Sequence, residues 1–239
     1  MAKKFKLFYV EHKSYIGGRY SVLSEVGMLP AYLMGINILK FRSKIFNCLK
    51  KKNKNFLKES TIKIANLLNS KNYNNLIFLS YFPELKKFLY WGQQLIAESL
   101  GKKNKGFLPV ISIAPKDHHS LLQLYLDGPK DKLFNIFSSE KDSNEKVRIK
   151  KYFSYNNFLN NKTLSKIKIS QKLALIKSFT KKNISFRELK IRRIKEEVLG
   201  ELFSYFIIET VIIGKLLKIN PFDQPAVEQV KAYTKKLLR

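Results

Sequence analysis

Cysteine is almost missing from the 239-residue chain, which holds only Cys48. One cysteine excludes an intrachain disulfide and fits a reducing cytoplasm. A small buried or half-buried hydrophobe is the ordinary role for such a residue. Histidine is scarce as well. There are three, only His118 and His119 are adjacent, and no zinc-ligand spacing results. The chain has no Walker loop, no G-x-G-x-x-G and no G-x-S-x-G. The simple readings as a P-loop kinase, a Rossmann dehydrogenase or a serine hydrolase are thereby set aside. Long hydrophobic runs are lacking too. The basic start, Met1-Ala2-Lys3-Lys4-Phe5-Lys6, leads into "LFYV", too short for a signal h-region. The most apolar window, residues 198–217, is interrupted by Glu201, Glu209 and Lys215. Charges at mid-span are costly in lipid, so this window reads as a buried helix of a soluble protein.

What is abundant is lysine. Lys and Arg number 46 against 18 Asp and Glu, for a net charge of +28. Such a balance suggests a nucleic-acid or anionic-membrane surface, or else lysine spread over every solvated face. Only seven of the 46 are arginine, the usual phosphate-fork and base-edge residue, and the lysines run along the whole chain. The expectation is therefore no nucleic-acid partner and no membrane partner. A positive field would still gather a small phosphorylated substrate. Apolar residues make up 45% of the chain, with eighteen Phe and twelve Tyr, enough for a large core.

Hydrophobic spacing predicts alternating strands and helices. Strands are expected at 6–10, 75–82, 106–113, 131–138 and 185–191, and helices at 55–70, 84–100, 117–128, 163–180 and 195–217. A last helix is expected to start near Asp223. Asp117 reads as an N-cap and Gly128 as the residue past a helix end. Residues 139–162 are polar and poorly patterned and read as a loop. Alternation of this kind gives an α/β fold with a mainly parallel sheet flanked by helices. One domain with helical additions is the simplest organisation, since no repeat, low-complexity tract or Pro/Gly/Ser linker divides the chain.

A few polar residues stand where chemistry could be carried. Gln94 and Glu98 are four apart and share a helix face, as do Gln224 and Lys231, seven apart. Arg19 follows the Gly17-Gly18 pair, and His119 lies in the first turn of its helix. A carboxylate, an imidazole, an ammonium and a guanidinium near strand–helix junctions suit acid–base work on an anionic substrate. Spacing alone leaves each of them open to being an ordinary solvated side chain.

Four segments resemble glucose-6-phosphate isomerases. "SYIGGRYSVLSEVG" (14–27) resembles the first signature of that family, and "GKLLKINPFDQPAVEQVK" (214–231) the second. "QQLIAESLGK" (93–102) is similar to the segment around the catalytic glutamate, and "DHHSLLQLYLDGP" (117–129) to the catalytic-histidine helix. The order and spacing agree, and the likeness covers nearly the whole chain. It implies a sugar-isomerase (SIS)-type domain over 1–239 with a C-terminal helical extension. It also implies interconversion of glucose 6-phosphate and fructose 6-phosphate, with no metal or organic cofactor, in the cytoplasm.

By the same resemblance, Glu98 would move the proton between C2 and C1 and Arg19 would stabilise the enediol(ate) oxygen. His119 would open the sugar ring, with Lys231 facing the sugar and assisting. Gly18, Gln94 and Gln224 would bind substrate. Asp223 would cap the terminal helix and Pro225 would fit its first turn. The family histidine comes from across a dimer interface, which implies a homodimer. His118 is expected to be a helix-start residue in a polar environment, and His12 to be structural or exposed.

Two departures qualify the resemblance. The family has a Ser/Thr-rich phosphate loop in a first domain upstream of the G-G-R motif, and Met1 falls a few residues before that motif. The chain is accordingly expected to correspond to the C-terminal part of such an enzyme, with the N-terminal SIS domain absent. Glu25 stands where the family usually has a small residue, facing water or paired with a lysine. The expected partners are a sugar phosphate, an N-terminal-half chain and a second copy. The alternatives are a non-catalytic sugar-phosphate-binding module and an inactive fragment.

Overall fold

The computed structural model describes residues 4–139, 145–148 and 158–239. Most of the expected 139–162 loop lies outside them. The chain forms two compact units. One, the sheet unit, contains Lys71–Gln93 and Phe107–Ile194; the other, the helical unit, contains Met1–Ser70, Gln94–Gly106 and Lys195–Arg239. The single SIS-type domain expected over residues 1–239 is a family definition and is taken up under the proposal.

In the sheet unit, four parallel strands are found among the described residues: β1 (Asn75–Ser80), β2 (Leu108–Ile113), β3 (Lys132–Ser139) and β4 (Phe186–Ile191). Their order is β2-β1-β3-β4. Each connection is helical: α4 (Lys86–Leu100) follows β1, α5 (Lys116–Asp127) follows β2, and α6 (Leu164–Lys181) follows β3. Parallel strands demand such crossovers, and their near-continuous apolar sequences reflect burial on both faces.

On one face Ile77 and Leu79 join Phe134 and Ile136, covered by Tyr125 of α5 and by Leu175 and Phe179 of α6. The Phe134 ring lies 4.6 Å from Phe179 and 5.0 Å from Tyr125, centroid to centroid. On the other face Phe78 and Phe137 meet edge to face, with Phe88 of α4 beside Phe137. The fold class and the four later strands agree with expectation. Thr163 caps α6, its side chain accepting from the Lys166 N–H.

One local expectation in this unit changes. Asp117 lies inside the first turn of α5, and its carboxylate accepts instead from the Ile113 N–H. Gly128 follows the end of α5 as expected, in an extended conformation with φ of −81°, and a Cβ there would fall 2.6 Å from the Leu124 carbonyl oxygen.

The helical unit is built around α7 (Glu196–Leu216), against which α2 (Ile38–Arg42) and α3 (Lys51–Asn69) lie. It also holds α1 (Glu25–Leu33), α8 (Pro225–Leu237) and the last turns of α4. Gly200 lets α2 approach: a Cβ there would fall 1.9 Å from the Phe41 carbonyl oxygen. The Glu209 that interrupts the apolar window is buried and accepts from the hydroxyls of Ser60 and Tyr205. Hydrogen bonding is what makes a buried carboxylate tolerable. Cys48 is buried, and burial pushes its thiol pKa up. No described helix is long and apolar enough to cross a membrane.

The strand expected at 6–10 is not formed. Residues 7–10 have no regular structure and are exposed. A strand needs a neighbour to take its N–H and C=O groups, and no described strand pairs with this one.

Candidate functional site

Arg19 organises the helical unit's polar interior. The 3-10 turn Gly18–Leu23 turns its side chain inward, leaving the residue 3% exposed. Five hydrogen bonds hold it among the described residues. Nε donates to Ser99 Oγ at 2.8 Å. Nη1 donates to Glu98 Oε2 at 3.2 Å and to Gln224 Oε1 at 2.6 Å. Nη2 donates to the carbonyls of Pro221 at 2.7 Å and Asp223 at 3.0 Å. A guanidinium has five N–H groups, so each has a protein acceptor. A buried arginine needs this, since an unpaired buried charge is strongly unfavourable.

The acceptors come from two places. Glu98 and Ser99 close α4, one residue apart. Pro221, Asp223 and Gln224 lie in the turn between α7 and α8. That turn starts at Lys218, left-handed at φ of 57°, with the Ile219 N–H returning to the Gly214 carbonyl. Pro221 is buried and sits against Gly214, where a Cβ would lie 3.0 Å from it. Tyr20 reinforces the same turn. Its hydroxyl donates to Pro221 O at 2.9 Å and lies 2.8 Å from Ser99 Oγ. Having one proton, the Tyr20 hydroxyl must accept from Ser99. Burial raises the Tyr20 pKa, partly offset by Ser99 and Arg19, which keeps it a donor.

Glu98 is held at both oxygens. Oε2 meets Arg19, and Oε1 accepts from Gln94 Nε2 at 3.1 Å. Its side chain remains 28% exposed. It borders a hollow of about 820 Å³ that is also lined by Lys102, Lys103, Asn220, Gln224 and the first turn of α8. The Gly106 turn shapes one wall. At φ of +114°, and with a Cβ that would come 2.8 Å from Gly101 Cα, this position favours glycine. A carboxylate fixed by a guanidinium and an amide, beside a solvent-filled hollow with lysines on its wall, can exchange a proton with an anionic guest.

The structure thus brings Arg19, Glu98, Gln94 and Gln224 together, with Gly18 beginning the turn that carries Arg19. It does not bring Lys231 into the group. Lys231 is on α8, 61% exposed, with its ammonium on Glu228 at 2.8 Å. Among the described residues α8 buries none, so nothing forms a second wall around Lys231. Asp223 does not cap α8. Gln224 holds the cap position, Pro225 opens the helix as expected, and the Asp223 carboxylate is drawn to Lys102 at 2.8 Å.

His119 belongs to the sheet unit, exposed in the first turn of α5. Its neighbour His118 is half-buried and structural in character. Its Nε2 lies 2.7 Å from the Tyr81 hydroxyl, and burial lowers its pKa, partly offset by Asp117. Glu25 lies 3.9 Å from His12 rather than beside a lysine, and both are partly exposed. Among the described residues no three His, Cys, Asp or Glu side chains cluster as a metal site would require. Ser99, Tyr20 and Lys102 were not singled out from the sequence. Their only signal was adjacency to Glu98 and Arg19 within the quoted motifs.

The profile of the family described as Phosphoglucose isomerase matches residues 6–239. The chain belongs to the phosphoglucose isomerase family. Among curated proteins, a probable glucose-6-phosphate isomerase of Methanococcus maripaludis is 32% identical over 97% of this chain and 53% of its own length. The glucose-6-phosphate isomerase of Mycoplasmopsis pulmonis is 36% identical over 93% of this chain and 54% of its own length. Among solved structures, a hypothetical protein of Thermus thermophilus matches with a TM-score of 0.83 at 26% identity, over 99% of this chain and 59% of that one. A glucose-6-phosphate isomerase of Chlamydia trachomatis shares the fold, with a TM-score of 0.78 at 19% identity, over 100% of this chain and 50% of that one. The chain spans about half the length of the curated relatives it matches. Within the phosphoglucose isomerase family, then, this chain carries the Arg19–Glu98–Gln224 cluster in a folded and fully hydrogen-bonded form.

Proposed function

We propose that this chain carries the proton-transfer part of a glucose-6-phosphate isomerase, working through a cis-enediol in glycolysis and gluconeogenesis. The pairing of Glu98 with buried Arg19 at the edge of an open hollow is the observation that supports this reading most. Glu98 takes the proton from C2 and returns it at C1, a step that general-base catalysis accelerates by about 10²–10⁴-fold. Arg19 supplies positive charge for the oxygen that becomes anionic. All five of its N–H groups already have acceptors, so it acts through its field, or through Nη1 once Gln224 turns to the substrate. Gln94, Gln224 and Gly18 orient the sugar phosphate. No metal or organic cofactor takes part.

His119 opens the ring and is supplied by a second copy of the chain, making the active form a homodimer. Lys231 closes over the sugar once α8 acquires a neighbour. In family terms, residues 1–239 form one SIS-type domain with a helical extension, and the enzyme is cytoplasmic.

Phosphate must be gripped elsewhere, by a polypeptide equivalent to the rest of the relatives' length. The helical unit leaves Phe8, Tyr32, Leu33, Leu39 and Leu237 exposed, apolar side chains that such a chain would cover. Exposed Lys231 and His119 favour a second reading, a sugar-phosphate-binding module without turnover. A coupled assay with fructose 6-phosphate separates the two, run on the chain alone and mixed with the remaining half of a relative. Turnover with the mixture supports the isomerase. Thermal stabilisation by the sugar phosphate without turnover supports the module, and neither response indicates an inert fragment.

A further inference from the structure

We infer that Lys102 is a positioning residue, fixing Arg19 and Gln224 against Glu98 by clamping the turn between α7 and α8. Lys102 stands just past the end of α4, and its side chain is 13% exposed. Its ammonium donates to Asn220 O at 2.5 Å, Asp223 O at 2.6 Å and Asp223 Oδ1 at 2.8 Å. An ammonium has three N–H groups, and each of these has an acceptor on one short turn.

The same turn holds Arg19. The Asp223 carbonyl accepts from both Lys102 and Arg19 Nη2, and Gln224, the next residue, accepts from Arg19 Nη1. Carbonyls gathered on one side of a turn repel one another, and two cations offset this. A second tether comes from the same loop: Lys105 Nζ donates to Leu217 O at 3.1 Å, where the turn begins. Lys102 and Lys105 therefore bracket the turn from α7's end to Asp223, while Glu98 and Ser99 lie four and three residues before Lys102. This fixes the spacing between the carboxylate and the groups that share Arg19 with it. A lysine suits three acceptors arranged around one point better than a planar guanidinium does.

The catalytic consequence rests on the isomerase reading, whereas the positional claim does not, so the test reads position directly. The full chain is labelled with ¹⁵N-arginine, and hydrogen exchange of Arg19 Nε–H is followed by NMR. In the wild-type chain this buried proton, on Ser99 Oγ, exchanges slowly. Lys102→Met speeds its exchange at least tenfold while the circular dichroism spectrum is kept. Lys102→Arg restores part of the protection. Asp223→Ala, which spares both carbonyl bonds, raises exchange less than Lys102→Met does. Exchange in Lys102→Met within twofold of wild type overturns the role. Should that variant not fold, Lys102→Gln reads the same proton against the same limit. If the isomerase reading fails and no mixture turns over, the exchange result still decides the positional claim.

Discussion

In the sheet unit Phe78, Phe134, Phe137 and Phe179 are fully buried and the flanking helices cover both faces of the sheet, while Tyr90, Leu108, Phe158 and Leu173 stay exposed at its periphery. In the helical unit the best-buried groups include a guanidinium and a carboxylate, Arg19 and Glu209, while Phe8, Tyr32, Leu39 and Leu237 face solvent. A surface that satisfies itself needs only apolar periodicity. A unit that keeps charges inside must hold them by hydrogen bonds between distant residues, which no local pattern displays.

The contrast predicts different responses to substitution. Phe134→Ala removes the ring at the centre of the sheet unit's core and should cost about 4 kcal/mol, as large aromatic truncations do. Amide exchange should speed in β1, β3 and α6 while α7 keeps its protection. Equal loss in α7 would mean that the two units unfold as one. Smaller is Gly200→Ala, which forces a methyl against the Phe41 carbonyl and should cost about 3 kcal/mol in a denaturant titration. Gly92→Ala on α4 meets only the edge of the Phe78 ring at 3.3 Å. Helix propensity offsets that contact, so its change should stay within about 1 kcal/mol.

The smallest effect concerns pH. Burial pushes the Glu188 carboxyl up, but hydrogen bonds from Lys172 and Ser138 and the charges of Lys172 and Lys190 outweigh it, and the pKa falls below its usual value. A depressed carboxylate contributes stability above its unfolded pKa and loses it as pH falls through the folded value. Acidification below about pH 4.3, the ordinary glutamate value, should therefore lower the melting temperature. Glu188→Gln should flatten that slope, and an unchanged slope would remove Glu188 as its source.

What the sequence conveyed follows the same division. "NLIFLS" reads as a buried parallel strand because Leu76 to Ser80 all face covered space, and α7 shows through its spacing despite Glu209. The run at 6–10 is as apolar but lacks a strand to pair with, and composition does not reveal a neighbour. At the site, periodicity placed Gln94 and Glu98 on one face, and the family motifs supplied Arg19 and Gln224. The bonds that fix Arg19 join residues 79 to 205 positions apart, beyond any local pattern. No local pattern therefore marks Ser99, Tyr20 and Lys102, and an aspartate two residues before Pro225 looks like a helix cap although its carboxylate pairs with Lys102.

The proposed chemistry is tested most directly by solvent exchange. Fructose 6-phosphate is incubated in deuterium oxide with the chain and the complementary half of a relative, and deuterium at C1 is followed by NMR. Uptake with the wild-type chain and a fall of about 10²-fold or more with Glu98→Gln is the result expected of a general base. Undiminished uptake with Glu98→Gln would contradict the role assigned to this carboxylate.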